Sequence, residues 1–457
     1  MSELPKGWAA VELRQCADVL DNMRVPVNSD DRANRQGQIP YYGATGQVGW
    51  IDDFLFTEEL LLIGEDGAPF FDKSKPIAYI IRGKSWVNNH AHVLRAKSDI
   101  TTNQYLKYFL DYFDFHDYVN GTTRLKLTQG SMNQIPVSLA PSNEQRRIVA
   151  KLEELLSKVD ACKKRLERIP TILKRFRQSV LAAACSGRLT ADWRTDNSYQ
   201  DDLPVGWRWV PVERLLPPGG IFDGPFGSNL KTSDYTDAGI RVIRLENVGH
   251  LKFNLDKETF ISVPKYETLK KHTVREGDIL FASFIADEVR TCLVPKLTST
   301  AIAKADCFCL RPDIKAIDKQ YLIYQFTSRE SYNSLKEAVH GATRPRINTT
   351  QLRGLKVRIC PLSEQQEIIR RVEVLFKIAD QIEARYINAK SHVDKMTQSI
   401  IAKAFRGKLL PQDPNDEPAS ALLELIRIEQ QKGSQPSQIS RQRKGRGNSP
   451  KQKAVAT

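Results

Sequence analysis

Four short patterns in this 457-residue chain invite a chemical reading. Gly83-Lys84-Ser85 resembles the end of a phosphate-binding loop, but such a loop needs a glycine five residues before Gly83, and Ala78 stands there. His90 and His92 have the spacing that puts two ring nitrogens on one side of a strand, as a metal site requires; the aligned places later in the chain are Asp306 and Phe308, so polar strand residues are the expected reading. Cys307 and Cys309 share that spacing and that reading. Asp313-Ile314-Lys315 matches one scrap of a nuclease motif, short enough to arise by chance. The chain shows no helicase-like ATP site and no Asn-Pro-Pro-aromatic signature with the glycine-rich cofactor loop of an adenine methyltransferase. No catalytic residue, metal ligand or cofactor site is assigned, and a non-catalytic protein is expected.

Contact chemistry remains. Loops that hold Thr, Gln, Asn, Arg and aromatic residues near glycine suit base edges, with Lys and Arg beside them for phosphates. In the first half of the chain these are Tyr41, Tyr42, Thr45, Gln47, Thr122, Arg124 and Lys126; in the second half they are Ser228, Lys231, Arg290, Thr343, Arg344, Arg346 and Asn348. Taken singly, each is equally an ordinary turn residue or a solvated charge, and Tyr42 or Phe226 would also suit a core. Arg124 and Arg344 stand apart because they occupy the same place in both halves, within Gly121-Thr122-Thr123-Arg124 and Gly341-Ala342-Thr343-Arg344.

The elements that would position such loops are written twice. Ile148, Leu152, Leu155, Val159, Cys162, Leu166, Ile169, Leu173, Phe176 and Val180 alternate steps of four and three, a heptad seam. At an offset of 220 the seam returns as Ile368, Val372, Leu375, Ala379, Ile382, Tyr386, Ala389, Val393, Met396 and Ile400. Ser142 with Gln145, and Ser363 with Gln366, read as capping boxes at the two starts. Gly187 and Gly407 suit left-handed turns at the two ends. Each helix spans roughly 45 residues, or about 65 Å at about 1.5 Å per residue. Pro170 should kink or interrupt the first; Lys390 holds the matching place in the second.

Ahead of the helices only patches repeat. Leu4-Pro5-Lys6-Gly7-Trp8 returns as Leu203-Pro204-Val205-Gly206-Trp207, and Arg95 and Tyr105 return as Arg311 and Tyr321. Between the patches the contents differ: Tyr41-Tyr42-Gly43-Ala44-Thr45-Gly46 in one region, Gly224-Pro225-Phe226-Gly227-Ser228-Asn229-Leu230-Lys231 in the other. Strands are expected at 60–63, 77–81, 241–245 and 278–281, with helices at 103–113 and 318–328, so the class is α+β (mixed α/β) without the alternation of a doubly wound sheet. The expected division is a first globular domain over 1–141, a spacer helix over 142–187, a linker over 188–202, a second domain over 203–361, a second helix over 362–407, an extension with a short helix over 408–431, and a basic disordered tail over 432–457.

Charge sets the class of partner. The formal net charge is +14, of which seven positive charges lie from Lys432 onward with no acid, so 14 less 7 leaves a moderately basic body of +7. Met1-Ser2-Glu3-Leu4-Pro5 is no signal peptide, no apolar run approaches a membrane span, and seven cysteines lack any Cys-x-x-Cys pair; reduced thiols and a cytoplasmic location are expected.

The order of parts, with Pro141-Ser142-Asn143-Glu144-Gln145, Ile169-Pro170-Thr171-Ile172-Leu173-Lys174-Arg175-Phe176-Arg177-Gln178, Leu362-Ser363-Glu364-Gln365-Gln366 and Ser399-Ile400-Ile401-Ala402-Lys403-Ala404-Phe405-Arg406-Gly407-Lys408-Leu409, resembles the specificity subunit of type I restriction-modification enzymes over nearly the whole chain. The resemblance implies two target-recognition domains, each reading one half of a bipartite, asymmetric sequence in double-stranded DNA, separated by two antiparallel helices. It further implies two modification subunits that methylate adenine and restriction subunits that cleave, so the chemistry belongs to partners. The chain path independently asks for antiparallel helices: the second domain starts within about 16 residues of Gly187, and the second helix must then run back, giving a pseudo-two-fold repeat. The alternative is a coiled-coil scaffold whose globular ends bind proteins.

Overall fold

The computed structural model describes residues 4–200, 202–339 and 345–433. The chain divides into two compact units, Met1–Leu166 with Ala389–Thr457, and Glu167–Asn388. Among the described residues no helix is long and apolar enough to cross a membrane.

The first unit is built on a four-stranded antiparallel sheet in the order Ala17–Val19, Ala91–Ala96, Leu60–Gly64, Ala78–Ile81. Leu60–Gly64 is apolar throughout because both of its faces are covered. Leu61 and Ile63 pack with Tyr105 and Phe109 of helix Asn103–Tyr112, while Leu60 and Leu62 pack with Val87 and Val93 on the other side. Each fully buried leucine here contributes about 1.5–3 kcal/mol. A smaller sheet, Gly46–Ile51, Ile39–Gly43 and Trp86–Val87, lies outside the elements expected from the sequence; its hairpin turns at Gly43-Ala44-Thr45-Gly46.

The second unit repeats the plan with additions. Ile221–Phe222, Cys307–Leu310, Ile279–Ala282 and Thr291–Leu293 form the matching antiparallel sheet. Its strands again alternate between two clusters: Ile279, Phe281, Phe308 and Leu310 face one, Leu280, Ala282, Cys307 and Cys309 the other. Both cysteines are thus core residues, and burial pushes their thiols up. A five-stranded mixed sheet, Tyr235–Thr236, Phe260–Ile261, Ile240–Ile243, Ala301–Ala303 and Thr273–Val274, answers the smaller sheet of the first unit: Ile240–Ile243 pairs antiparallel with Phe260–Ile261 and parallel with Ala301–Ala303, as Ile39–Gly43 pairs with Gly46–Ile51 and Trp86–Val87, and the two outer strands are additions that go with the greater length.

The first spacer helix runs as Ser142–Leu166 and Ile169–Cys185. The carbonyl that Pro170 would have bonded is that of Leu166, and the first segment ends there. The second helix, Leu362–Phe405, is unbroken. Within the first unit Lys163 Nζ lies 3.3 Å from Thr397 Oγ1; within the second, Arg177 Nη2 lies 2.7 Å from both Asp380 Oδ1 and Glu383 Oε2. Just past the end of the first helix the Leu189 carbonyl accepts from Arg371 Nη1 at 2.8 Å, so in the second unit the numbers fall from 383 to 371 as they rise from 177 to 189, and the pairing there is antiparallel. The 220-residue repeat carries the pair Lys163 and Thr397 onto Glu383 and Arg177.

Of the seam, Ile148, Leu152, Val159, Leu173, Val180, Ile368, Val372 and Ala379 are buried, and Leu155, Leu166, Ile169, Phe176, Leu375, Tyr386, Val393 and Ile400 are half-buried. Ile382 and Met396 are 42% and 47% exposed, and Cys162, which matches Ile382 in the repeat, is exposed too. Away from a globular domain each helix covers only one flank of its partner, so these seam positions stay wet.

The capping boxes are replaced by a deeper anchor. Gln145 turns its amide inward: Oε1 accepts from Thr101 Oγ1 at 2.8 Å, and Nε2 donates to the carbonyls of Ile100 and Ala140 at 3.1 and 2.9 Å. Its counterpart is Gln365, not Gln366, with Oε1 accepting from the Asp318 amide at 2.8 Å and Nε2 donating to the Cys360 carbonyl at 2.8 Å. A buried amide must be satisfied, and strand-end carbonyls are at hand. Beside it, Trp8 Nε1 donates to Glu144 Oε2 at 3.0 Å and Trp207 Nε1 to Glu364 Oε2 at 2.9 Å. Gly7 and Gly206, at φ +79° and +87°, make the type II turns that present each indole. This is why Leu-Pro-x-Gly-Trp recurs.

The C-terminal extension packs on the first unit. Arg147 forms a bidentate pair with Asp416, and Ala419, Leu422 and Ile426 of helix Ala419–Gly433 are buried in the same core as Trp8.

Candidate nucleic-acid interface

At one end of the first unit's main sheet four loops converge. The Glu65 amide donates to the His90 carbonyl at 2.8 Å, the Gly67 amide to Leu125 at 2.9 Å, and the Leu127 amide to Glu65 at 2.7 Å. The Asn88 amide donates to Tyr42 at 3.1 Å, tying in the small hairpin, and Asp66 bridges Lys126. The convergence brings Tyr42, Thr45, Gln47, Arg124 and Lys126 to one end, with Thr122 exposed on the same loop as Arg124. Tyr41 does not belong with them. It is 1% exposed, its hydroxyl donates to the Val27 carbonyl at 3.0 Å, and the Arg32 guanidinium covers its ring at 4.7 Å. Side chains alternate across a strand, so Tyr41 joins Ile51 and Trp86 in one cluster while Tyr42 turns to the other face, half-buried beside Tyr79 and against Leu60 and Leu62.

Beneath this end lies an ionic network that no sequence pattern announced. Arg24 Nη1 is 2.7 Å from Glu65 Oε2, and Arg24 Nη2 is 3.3 Å from Asp21 Oδ2. His92 Nδ1 is 2.5 Å from the same Asp21 oxygen, and its Nε2 donates to the Leu127 carbonyl at 2.8 Å. Asp21, Glu65 and His92 are the one group among the described residues with metal-ligand proximity. Arg24 pairs with both carboxylates and Lys126 with Glu65, so the network reads as an internal ion cluster. Nearer the surface, Asp66 Oδ1 meets both His90 Nδ1 at 2.7 Å and Arg124 Nη2 at 3.0 Å, and Lys126 Nζ lies 3.2 Å from Glu65.

The second unit assembles its end from different residues on the same frame. Phe284 bridges Arg346 as Asp66 bridges Lys126. The Arg346 guanidinium sits 4.5 Å from the Phe284 ring centre and 3.5 Å from Asp306 Oδ2, and Ser283 Oγ donates to Asp306 at 2.9 Å. Asp306 takes φ +71°, a strained setting that aspartate tolerates better than most residues. Asp223 adjoins it, its carboxyl pushed up to about 6 by burial and by the Asp306 charge. The loop that follows carries exposed Phe226, Ser228 and Lys231. Arg290 donates through Nη1 to the Leu245 carbonyl at 3.1 Å. Asn348 is engaged as the cap of helix Thr349–Gly354, its Oδ1 accepting from the Gln351 amide at 2.9 Å, which leaves it poorly placed to read a base. Thr343 and Arg344 lie outside the described residues.

Glu65 and Asp66 in one unit, and Ser283 and Asp223 in the other, were not among the residues singled out from the sequence, and His90, with its aligned counterpart Asp306, was weighed only as a metal ligand. The usable signal was the carboxylate pair Glu65-Asp66 directly after an apolar strand.

Comparison with known proteins supplies the family. Residues 5–171 and 239–390 match the model of the type I restriction modification DNA specificity domain. The chain is 28% identical to the specificity subunit of the type I restriction enzyme EcoDI of Escherichia coli, covering 93% of this chain and 96% of that one. It is 30% identical to the StySPI specificity subunit of Salmonella potsdam, with the same coverage. Its fold resembles that of the crystallised HsdS subunit of Thermoanaerobacter tengcongensis, with a TM-score of 0.55 at 17% identity over 89% of this chain and 98% of that one.

Proposed function

The chain belongs to the type I restriction-modification DNA specificity family, and from that membership we propose that each of its two units reads one half of a bipartite, asymmetric DNA target. One observation carries this division: equivalent sheet ends, each closed by the same kind of bridge, present unlike loops, Tyr42 to Gln47 with Arg124 and Lys126 in one, Phe226 to Lys231 with Arg346 in the other. A repeated frame with different contents suits a reader of two different half-sites. The paired helices serve as the spacer and dock two modification subunits; adenine methylation and ATP-dependent cleavage then belong to those and to restriction subunits. Such a complex works on cytoplasmic DNA.

The test is to express the chain with its modification subunits and map methylated adenines across the host genome. A two-part motif is expected, with Arg124→Ala changing one part and Arg346→Ala the other. Each substitution should cost about 1–3 kcal/mol at one base pair if the arginine reads guanine. A complex that methylates nothing and binds no DNA at low salt would favour the scaffold reading.

A further inference from the structure

We propose that Asp66 is a positioning residue for base reading: it holds the Arg124 guanidinium so that its fork, and not its charge, meets the DNA. This rests on the reading of the first unit's sheet end as a half-site reader.

Arg124 is 62% exposed, yet it is not free to sweep the surface. Its Nη2 is 3.0 Å from Asp66 Oδ1, and Asp66 is itself held, 20% exposed, on a loop pinned by backbone bonds to Leu125 and His90. His90 Nδ1 approaches the same oxygen at 2.7 Å. The backbone on either side is tight. A Cβ at Gly67 would come within 3.4 Å of Arg124 Nε, and one at Gly121 within 2.4 Å of the Arg124 carbonyl oxygen.

A carboxylate beside an arginine has opposite consequences for the two ways of touching DNA. Phosphate contact works through net charge, which Asp66 cancels and even opposes. Base contact works through geometry, two parallel N–H groups aimed at acceptor edges, and gains when the side chain is already oriented before DNA arrives. An acid in this place weakens a phosphate clamp and improves a base reader. Asp66 therefore marks Arg124 as a base-reading residue and leaves phosphate contact to cations without such a neighbour. The second unit meets the same need with other parts: Arg346 is stacked on Phe284 at 4.5 Å and faces Asp306 at 3.5 Å, and Asp306 comes from the turn ahead of strand Cys307–Leu310, not from the loop after the strand that matches Leu60–Gly64.

The full chain carrying Asp66→Asn or Asp66→Glu is assembled with its modification subunits, and the methylated genomic motif is compared with that of the unaltered chain and of Arg124→Ala. Asn removes the charge; Glu keeps it and shifts it by one methylene. If Asp66 acts by position, both variants relax the motif at the base pair that Arg124→Ala relaxes, by about fivefold or more in the preference for that base, and leave the other half-site unchanged. The double variant Asp66→Asn with Arg124→Ala then behaves as Arg124→Ala alone. Binding of the purified complexes to a duplex carrying the mapped site provides the second measurement: Asp66→Asn should bind unrelated duplex as well as the unaltered complex does, or better. Asp66→Glu indistinguishable from the unaltered chain would overturn the proposal, showing a role of charge alone. A uniform fall in methylation with an intact motif would overturn it too, showing a structural role. If Arg124→Ala itself leaves the motif and the affinity unchanged, the placement of the DNA face fails, which is a different result from Arg124→Ala acting while Asp66→Asn and Asp66→Glu do not.

Discussion

Asp223 carries its proton more tightly in the folded chain than in the unfolded one, with a carboxyl pushed up to about 6 from an ordinary 3.8, first by burial and then by Asp306. Its contribution favours folding fully below about pH 4, fades as pH rises through about 6, and above that leaves a net cost, because the native state holds a charge it would rather lose. Asp223→Asn should match the unaltered chain in stability below pH 4 and exceed it above pH 6. The gain is about 1 kcal/mol once partial exposure is discounted; the difference between the two melting curves, followed from pH 4 to 8, checks it. The same residue adjoins Asp306 at the end of the second unit proposed to face DNA, so affinity for the second half-site should rise as pH falls through 6, and Asp223→Asn should abolish that rise. At this scale the sequence was legible only where a residue type repeats in register. Arg124 and Lys126 were visible; Asp66 and Asp223 were not, because an acid gains its role from neighbours distant in the chain.

Elements were the most legible scale. Apolar runs at 60–63 and 278–281 became strands covered on both faces, and the heptad seam became helices with a break at the residue Pro170 dictates. The hairpin Ile39–Gly43 and Gly46–Ile51 escaped notice because its strands are half-exposed and glycine-rich, with little alternation to detect. Capping boxes were misread for a related reason: a Ser-x-x-Gln spacing is local, whereas the Thr101, Ile100 and Ala140 groups that claim Gln145 are tertiary. Burial separates seam positions that periodicity treats alike. Leu155→Asp and Leu375→Asp, at matching half-buried sites, each place a charge in the seam and should cost several kcal/mol, with loss of co-purifying modification subunits. Ile382→Asp, at a position 42% exposed, should cost about 1 kcal/mol or less and leave the complex intact. Equal loss from all three would mean that the mid-helix residues are covered by a partner.

The repeat relates one half of the molecule to the other, so a fragment of residues 1–201 should dimerise, with the first helix of one copy standing in for the second helix of the other. It should then direct methylation to a palindrome built from the first half-site. The structure says where this substitution fits poorly. In the first unit Phe405 packs against Tyr105, Phe109 and Tyr112, with ring centres 5.3, 5.5 and 5.8 Å away. Subtracting 220 puts Cys185 in that pocket, and replacing a buried phenylalanine by so small a side chain costs about 3 kcal/mol at each of the two equivalent sites. The same shift sets Lys163 opposite Arg177, where Thr397 had been; that exposed repulsion is worth only about 0.5 kcal/mol. The cavity therefore dominates. Cys185→Phe should tighten the fragment dimer far more than Lys163→Glu, which restores only the kind of pair that Glu383 makes with Arg177. Dimerisation constants from sedimentation, with methylation mapping of each fragment complex, decide between them. A fragment that stays monomeric even with Cys185→Phe would rule out helix exchange, and a dimer methylating the original asymmetric site would refute one half-site per unit.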